Sequence, residues 1–205
     1  MFMVILGSAS PRRQELLKQL IAKFTVLPAN IDESVGDSES AVNYVERMAN
    51  EKAMAAFAKW KSATHSMDVL PIVVGSDTSV VVDGKVLGKP DSLASAKLML
   101  RSLSGRSHQV MTAVCLYDGR FEQSNSVNVI TEVEFRVISD LEIEQYWKTG
   151  EPQDKAGSYA IQGLGSIFVS SIKGSYSAVV GLPLYETAKL FEQLGIHPLQ
   201  EMSHE

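Results

Sequence analysis

The stretch "PIVVGSDTSVVVDGKVLGKP", residues 71–90, decides the fold. Its first part, 71–75, has the composition of a short buried strand. "SVVVDGKVL", 79–87, follows, and the Asp83-Gly84 pair between apolar runs is a two-residue hairpin signal. Asp77 then falls just past a buried strand, where sheet proteins place reacting groups. It can hold a magnesium ion or take a proton from water; the competing reading is an Asx-turn or a cap. Lys89 sits in "LGKPD", where Pro90 stiffens the backbone around it.

Toward the N-terminus, residues 39–61 read as a long helix. Val42, Val45, Met48, Ala49, Met54, Phe57 and Trp60 recur along it at helical spacing. Residues 2–6 are a short buried strand, and 24–27 a second. Between them Ser10 and Pro11 open a helix as N-cap and first residue, with Leu16, Leu17, Leu20 and Ile21 on one face.

Toward the C-terminus, 92–103 is a helix ending near Gly105. "HQVMTAVCLYD" and "SVNVITEVEFRV" are long strands joined around Gly119. "SDLE", 139–142, is a capping box whose helix stops at Gly150. Strands at 166–172 and 175–180, a helix from Pro183 to Leu194, and a frayed tail at 198–205 complete the chain. This irregular interleaving implies an α/β fold, a mixed sheet with helices packed on it in two lobes. Residues 1–197 form one domain on this reading, and 198–205 a tail.

The chain has 205 residues, 45% of them hydrophobic and 21% charged, as in ordinary globular proteins. A net charge of −5 argues against non-specific binding to nucleic acid or acidic lipid, so a polyanionic ligand must meet a local cluster of cations. The single cysteine, Cys115, allows no internal disulfide and points to a reducing, cytoplasmic setting. No run approaches the ~20 apolar residues of a membrane span.

That cationic cluster has a candidate in "LGSASPRRQELL", residues 6–17. Arg12 and Arg13 fall in the first turn of a helix, an end that already carries partial positive charge. A bound phosphate chain would reverse the local field, with Ser8 and Ser10 adding hydroxyl donors to two rigid guanidinium forks. Otherwise one or both arginines face water or pair with a carboxylate. The stretch is not a Walker A loop, no G-x-S-x-G elbow occurs, and His65, His108, His197 and His204 lack zinc-site spacing. His108, beside an apolar strand, reads as structural.

"NIDES" adds Asp32 and Glu33 near a strand end. Magnesium usually takes one or two carboxylates, with water and phosphate completing the octahedron, and Glu33 with Asp77 would provide that minimum. Lys52 lies mid-helix in "NEKAM". "EPQDKAGSYAIQGLGS", 151–166, is polar, glycine-punctuated and too long for a simple turn. It reads as a binding loop in which Gln162 faces a nucleobase, or as a surface excursion serving its own backbone.

Taken in order, "SASPRRQELL", "GSDTSVVVDGKVLGKP", "LSGRSHQVMTAV", "EPQDKAGSYAIQG" and "GSYSAVVGLPL" resemble the Maf family of nucleoside triphosphate pyrophosphatases, from about residue 3 to residue 195. The resemblance implies an elongated mixed sheet with flanking helices, in two lobes around a cleft, similar to the inosine-triphosphate pyrophosphatases. It implies cytoplasmic, commonly homodimeric enzymes that need a divalent metal, Mg or Mn, and split a nucleotide between its α and β phosphates. An association with septum formation comes with the family name. Position by position, phosphate binding falls on Ser8, Arg12, Arg13, Lys52 and Lys89. Glu33 falls among the acidic active-site groups, and Asp77 on the proton acceptor. Arg12, Thr78 and Gln162 read as in the branch acting on dTTP and UTP, where the 7-methyl-GTP branch has tryptophan, glutamine and glutamate. An amide at 162 can both donate to and accept from a uracil or thymine edge, whereas a carboxylate would repel a pyrimidine carbonyl.

The expected catalytic set is therefore Asp77, Glu33 and Lys89. Ser8, Arg12, Arg13, Lys52, Thr78 and Gln162 bind substrate, and Asp77 and Glu33 hold the metal. The rival readings are the same chemistry on CTP, a modified pyrimidine triphosphate or 7-methyl-GTP, and a nucleotide-binding regulator of cell division.

Overall fold

The computed structural model describes residues 2–28, 30–64 and 69–202. His65 and His204, weighed above for zinc spacing, lie outside the described residues, as do positions 203–205 of the tail. The chain divides into two compact units. The first comprises Met1–Asp77, Thr112–Asn128 and Gly181–Glu205, and the second Thr78–Met111 and Val129–Val180.

β1 (Val4–Leu6) is wholly buried, as its apolar run requires. Ser10 caps α1 (Pro11–Leu17), whose Leu16 and Leu17 pack inward. β2 (Thr25–Val26) pairs in parallel with β1. Ser40 caps α2 (Ala41–Ala63), which buries Val45, Met48, Ala49, Ala53, Ala56 and Phe57. Met54, placed above on the apolar face, is 53% exposed.

β3 (Ile72–Val82) corrects the reading of the deciding stretch. The strand does not end at Gly75, so Asp77 stands inside it and not beyond its end. Gly75 is no breaker here: a Cβ on it would lie 2.2 Å from the Ala49 carbonyl oxygen and 2.7 Å from the Ala53 nitrogen. The glycine exists to let α2 press on the strand.

β3 pairs in parallel with β1 and antiparallel with β4 (Lys85–Leu87). The connecting Asp83 and Gly84 have φ of 50° and 72°, both positive, as the two-residue hairpin demands. Next come α3 (Leu93–Leu103), β5 (Ser107–Asp118), β6 (Gln123–Phe135) and α4 (Asp140–Lys148). The Ser139–Glu142 capping box is formed as expected.

Residues 151–168 wind through three short 3₁₀ turns, and β7 (Val169–Lys173) pairs antiparallel with β6. The sequence suggested a strand at 175–180. It is instead α5 (Tyr176–Val180), because the Ser175 hydroxyl accepts from the Ala178 N–H at 3.2 Å and caps a helical turn against the β-leaning valines. α6 (Leu184–Gln193) follows, and the tail begins as α7 (Pro198–Met202) instead of fraying at once.

The sheet runs β2-β1-β3-β5-β6-β7, with β4 against β3, and mixes parallel with antiparallel pairs. In the first unit Leu6, Leu17, Met48, Ile72, Leu116 and Phe191 are fully buried. In the second, Val80, Leu100, Leu103, Phe135, Ile143, Tyr159 and Phe168 form the core. No described helix is long and apolar enough to cross a membrane.

Candidate active site

The site is built where α2 touches the backbone of β1 and β3. Gly75 admits Ala49 and Ala53, and Gly7 admits Ala56, whose Cβ would stand 3.1 Å from a Cβ on the glycine. Small residues on both sides bring the helix axis close to the sheet. Lys52, on that same stretch of helix, is thereby carried onto Asp77.

Lys52 Nζ donates to Asp77 Oδ1 at 2.7 Å and also meets Glu33 Oε1 at 2.7 Å. Lys52 and Asp77 are each 8% exposed, so an ammonium is shared between two carboxylates in a largely dry place. Burial of such charges is tolerable only because they are paired. Beside them, Arg13 Nε donates to the Gly181 carbonyl at 2.8 Å and Nη1 to Ser8 Oγ at 3.3 Å. Burial lowers the Arg13 pKa, the charges of Asp77 and Glu33 pull it back up, and the Arg12 charge lowers it further. Arg13 thus feels Arg12 as a like charge while it faces one acidic centre.

α1 has only seven residues, so its dipole contributes little, and any anion must be gripped by side chains. Ser8 Oγ also accepts from the Ser10 N–H at 3.2 Å. With both acceptor positions used, its own proton is left for a ligand oxygen.

Glu33 lies in an irregular segment with a half-exposed side chain, yet its backbone is fastened. Tyr44 Oη donates to the Glu33 carbonyl at 2.9 Å, and Arg47 Nη2 to the Ser34 carbonyl at 3.0 Å. Arg47 also grips Glu39 with both arms at 2.7 Å, which holds the Glu39 carboxyl down at about 2. Burial, with Asp77 and Glu33 nearby, pushes the Tyr44 phenol up to about 12, so it remains a donor. Asp32 turns inward on its own segment, accepting from the Ser34 N–H at 2.9 Å.

The structure thus gathers Ser8, Arg13, Lys52, Glu33 and Asp77 in the first unit, with Arg12 next along the chain. Thr78, Lys89 and Gln162 belong to the second unit. Thr78 continues β3 directly after Asp77. Lys89 is exposed, and the carbonyl of the preceding Gly88 accepts from the Gly157 N–H at 3.0 Å, tying its loop to the 151–166 excursion. In that excursion Gln162 is exposed, while Tyr159, Ala160 and Ile161 before it are buried. Glu151 serves the local backbone: it accepts from Tyr146 Oη at 2.6 Å and from the Leu164 and Gly165 N–H groups at 2.9 Å each.

His108 is structural, with Nε2 against Tyr159 Oη at 2.8 Å; burial pulls its pKa down to about 4. Cys115 is buried with its thiol pushed up to about 11 by that burial.

Sequence reasoning missed Tyr44, Arg47, Ser76 and Gly181. The first two share a helical face with Glu51, at i, i+3 and i+7, a spacing that by itself marks no site. Ser76 Oγ reaches the carbonyls of Ala113 at 2.8 Å and Gly181 at 3.0 Å, a long-range contact with no local signature.

Among the described residues no group of three or more His, Cys, Asp or Glu converges as a metal cage. Two carboxylates do converge, and the cation they share here is Lys52. Two hard oxygen donors are what Mg²⁺ or Mn²⁺ takes from a protein when phosphate and water supply the rest, so the donor set fits such an ion.

A family model described as Maf-like protein matches residues 3–194. A protein of Pseudoalteromonas atlantica named dTTP/UTP pyrophosphatase is 50% identical over 196 residues, 95% of this chain and 98% of that one. Proteins of the same name from Vibrio vulnificus and Hahella chejuensis are 51% and 47% identical over 94% of this chain, covering 99% and 92% of their own lengths. Among solved structures, the Ham1 protein of Staphylococcus aureus aligns with a TM-score of 0.42 and 13% identity, covering 65% of this chain and 71% of that one. A family model spanning nearly the whole sequence, and relatives sharing about half its residues end to end, make this chain a member of the Maf family.

Proposed function

We propose that this protein hydrolyses dTTP and UTP between the α and β phosphates, giving the nucleoside monophosphate and pyrophosphate. The observation that carries the reading is the single ammonium of Lys52 shared by Asp77 and Glu33 at 2.7 Å each, beside the partly buried guanidinium of Arg13. The relatives that bear the dTTP/UTP name support the choice of nucleotide.

In this reading Asp77 accepts the proton of the attacking water. The water oxygen bonds to phosphorus, the bridging P–O bond breaks, and pyrophosphate leaves. Glu33 and Asp77 would hold a divalent cation, which when bound neutralises phosphate charge and makes water more acidic. Arg12, Arg13 and the Ser8 hydroxyl hold phosphate oxygens, and fixed cations of this kind help most as charge builds on the leaving group. Lys52 keeps the two carboxylates at a set spacing and turns toward phosphate when it arrives. Lys89 adds a further cation to the phosphate chain. Gln162 and Thr78 set the choice of base. A homodimer in the cytoplasm is the expected setting, and sedimentation of the purified protein reads the oligomeric state.

The test is pyrophosphate release across a panel of nucleoside triphosphates, with and without Mg²⁺ or Mn²⁺. The expected result is metal-dependent release, fastest from UTP and dTTP. Faster release from 7-methyl-GTP or CTP would reassign the substrate, and no release from any nucleotide would reject the activity.

A further inference from the structure

We propose that Tyr44 and Arg47 are positioning residues that fix where the Glu33 carboxylate stands, with Glu39 holding Arg47 to that task. The inference rests on the reading of Glu33 and Asp77 as partners at one phosphate-cleaving centre.

Residues 27–28 and 30–40 contain no helix or strand, and the Glu33 side chain is 52% exposed. Such a segment has no intrinsic reason to keep one carboxylate in place. Asp77, by contrast, is fixed by β3. From α2 the irregular segment is fastened at consecutive points. Tyr44 Oη holds the Glu33 carbonyl at 2.9 Å. Arg47 holds the Ser34 carbonyl at 3.0 Å and both oxygens of Glu39 at 2.7 Å. Glu39 Oε2 closes the loop on itself by accepting from the Gly36 N–H at 2.9 Å. The Arg47 guanidinium also lies 5.7 Å from the centre of the Tyr44 ring, so the two fastenings brace each other.

The same helix carries Lys52 two turns further on. One rigid element therefore sets three things together: the ammonium, the backbone of Glu33, and the distance from both to Asp77. The carboxylate is ordered before any ligand arrives, which is how a weakly structured segment contributes to affinity. Among the described residues the remaining hydrogen-bonding partner of Arg47 is Glu51 at 3.4 Å, an ordinary surface pair.

The experiment measures Mn²⁺ binding by electron paramagnetic resonance, in the presence of non-hydrolysable α,β-methylene-UTP. Wild type is compared with Tyr44→Phe, Arg47→Met, Arg47→Lys, Glu39→Gln, Glu33→Gln and the Arg47→Met/Glu33→Gln double variant. Tyr44→Phe should weaken Mn²⁺ about 2- to 10-fold, the range for one neutral hydrogen bond, and Arg47→Met about 10-fold or more. Arg47→Lys should recover part of that loss, and Glu39→Gln should fall between. In the Glu33→Gln background Arg47→Met should cost nothing further, because its effect passes through that carboxylate. A merely structural Arg47 would weaken Mn²⁺ equally in both backgrounds. Equal loss there, or Mn²⁺ affinities of folded Tyr44→Phe and Arg47→Lys that match wild type while Glu33→Gln is weakened, would overturn the proposal. Pyrophosphate release by the wild type is read separately. Wild type that turns over UTP alongside unaffected variants sinks the positioning role alone. Wild type that binds Mn²⁺ as described but releases no pyrophosphate sinks the activity and leaves the positioning role standing.

Discussion

Asp77 shares its hydrogen-bonding partner with Glu33, so a change at one carboxylate is felt by the other through Lys52. Asp77→Asn keeps an oxygen that can accept from Lys52 and removes the basic site. It is expected to lower kcat by about 10²–10⁴ while α,β-methylene-UTP still binds within a few-fold of wild type. Steady-state pyrophosphate release and calorimetry check the two halves. At Gln162 the argument concerns the base. Gln162→Glu should lower kcat/KM for UTP and dTTP about tenfold or more relative to 7-methyl-GTP, and an unchanged ranking would remove Gln162 from base selection. The two arginines opening α1 stood out because local rules disfavour cations there, while Lys52, Glu33 and Asp77 were picked out by the family resemblance. Tyr44 and Arg47 were not, because a tyrosine and an arginine on a long helix look like any partly buried aromatic and any surface cation.

At the scale of elements, the approach of α2 to β3 depends on what is missing from Gly75. A methyl group there would meet backbone atoms, the Ala49 oxygen at 2.2 Å and the Ala53 nitrogen at 2.7 Å, and neither can rotate away. Gly75→Ala is expected to cost about 1–3 kcal/mol or more and to pull Lys52 off Asp77. Urea unfolding measures the first effect and loss of kcat the second. The long strands, the hairpin turn and the capped helices were readable from composition and turn chemistry. Two readings failed. Gly75 was taken for a strand end when it marks a close approach, and the valines of 176–180 were taken for strand when Ser175 caps a helix. At Gly75 a contact from α2 overrode the local preference, and at 176–180 a side-chain cap three residues away overrode the strand preference of the valines.

At the scale of the whole molecule, burial of His108 couples folding to acid. The pKa of an unfolded histidine is about 6.5 and that of His108 in the fold about 4, so the native state favours the neutral ring. Its contribution is complete above pH 6.5 and shrinks as pH falls toward 4, by up to about 3 kcal/mol. Glu39 and Glu142, each held at about 2 by an arginine, lose stability only below about 4.5, so the window from 6.5 to 4.5 is free of them. Urea midpoints at pH 7.5 and 5 should differ for wild type and converge for His108→Gln. Cys115, buried with its thiol bonded to Asn50 Oδ1 at 3.2 Å, should resist a thiol reagent until the chain unfolds, which a labelling time course in urea reports. The fold class was legible from how strands and helices alternate. The order of the sheet was not, because β1 finds β3 across α1, β2 and α2, and nothing local announces that pairing.

Arg13 and Ser76 both lean on the carbonyl of Gly181. Arg13 thus depends on an anchor 168 positions further along the chain. A product cut short before residue 181 keeps Ser8, Arg12, Arg13, Glu33, Lys52 and Asp77, yet lacks the peg on which Arg13 hangs.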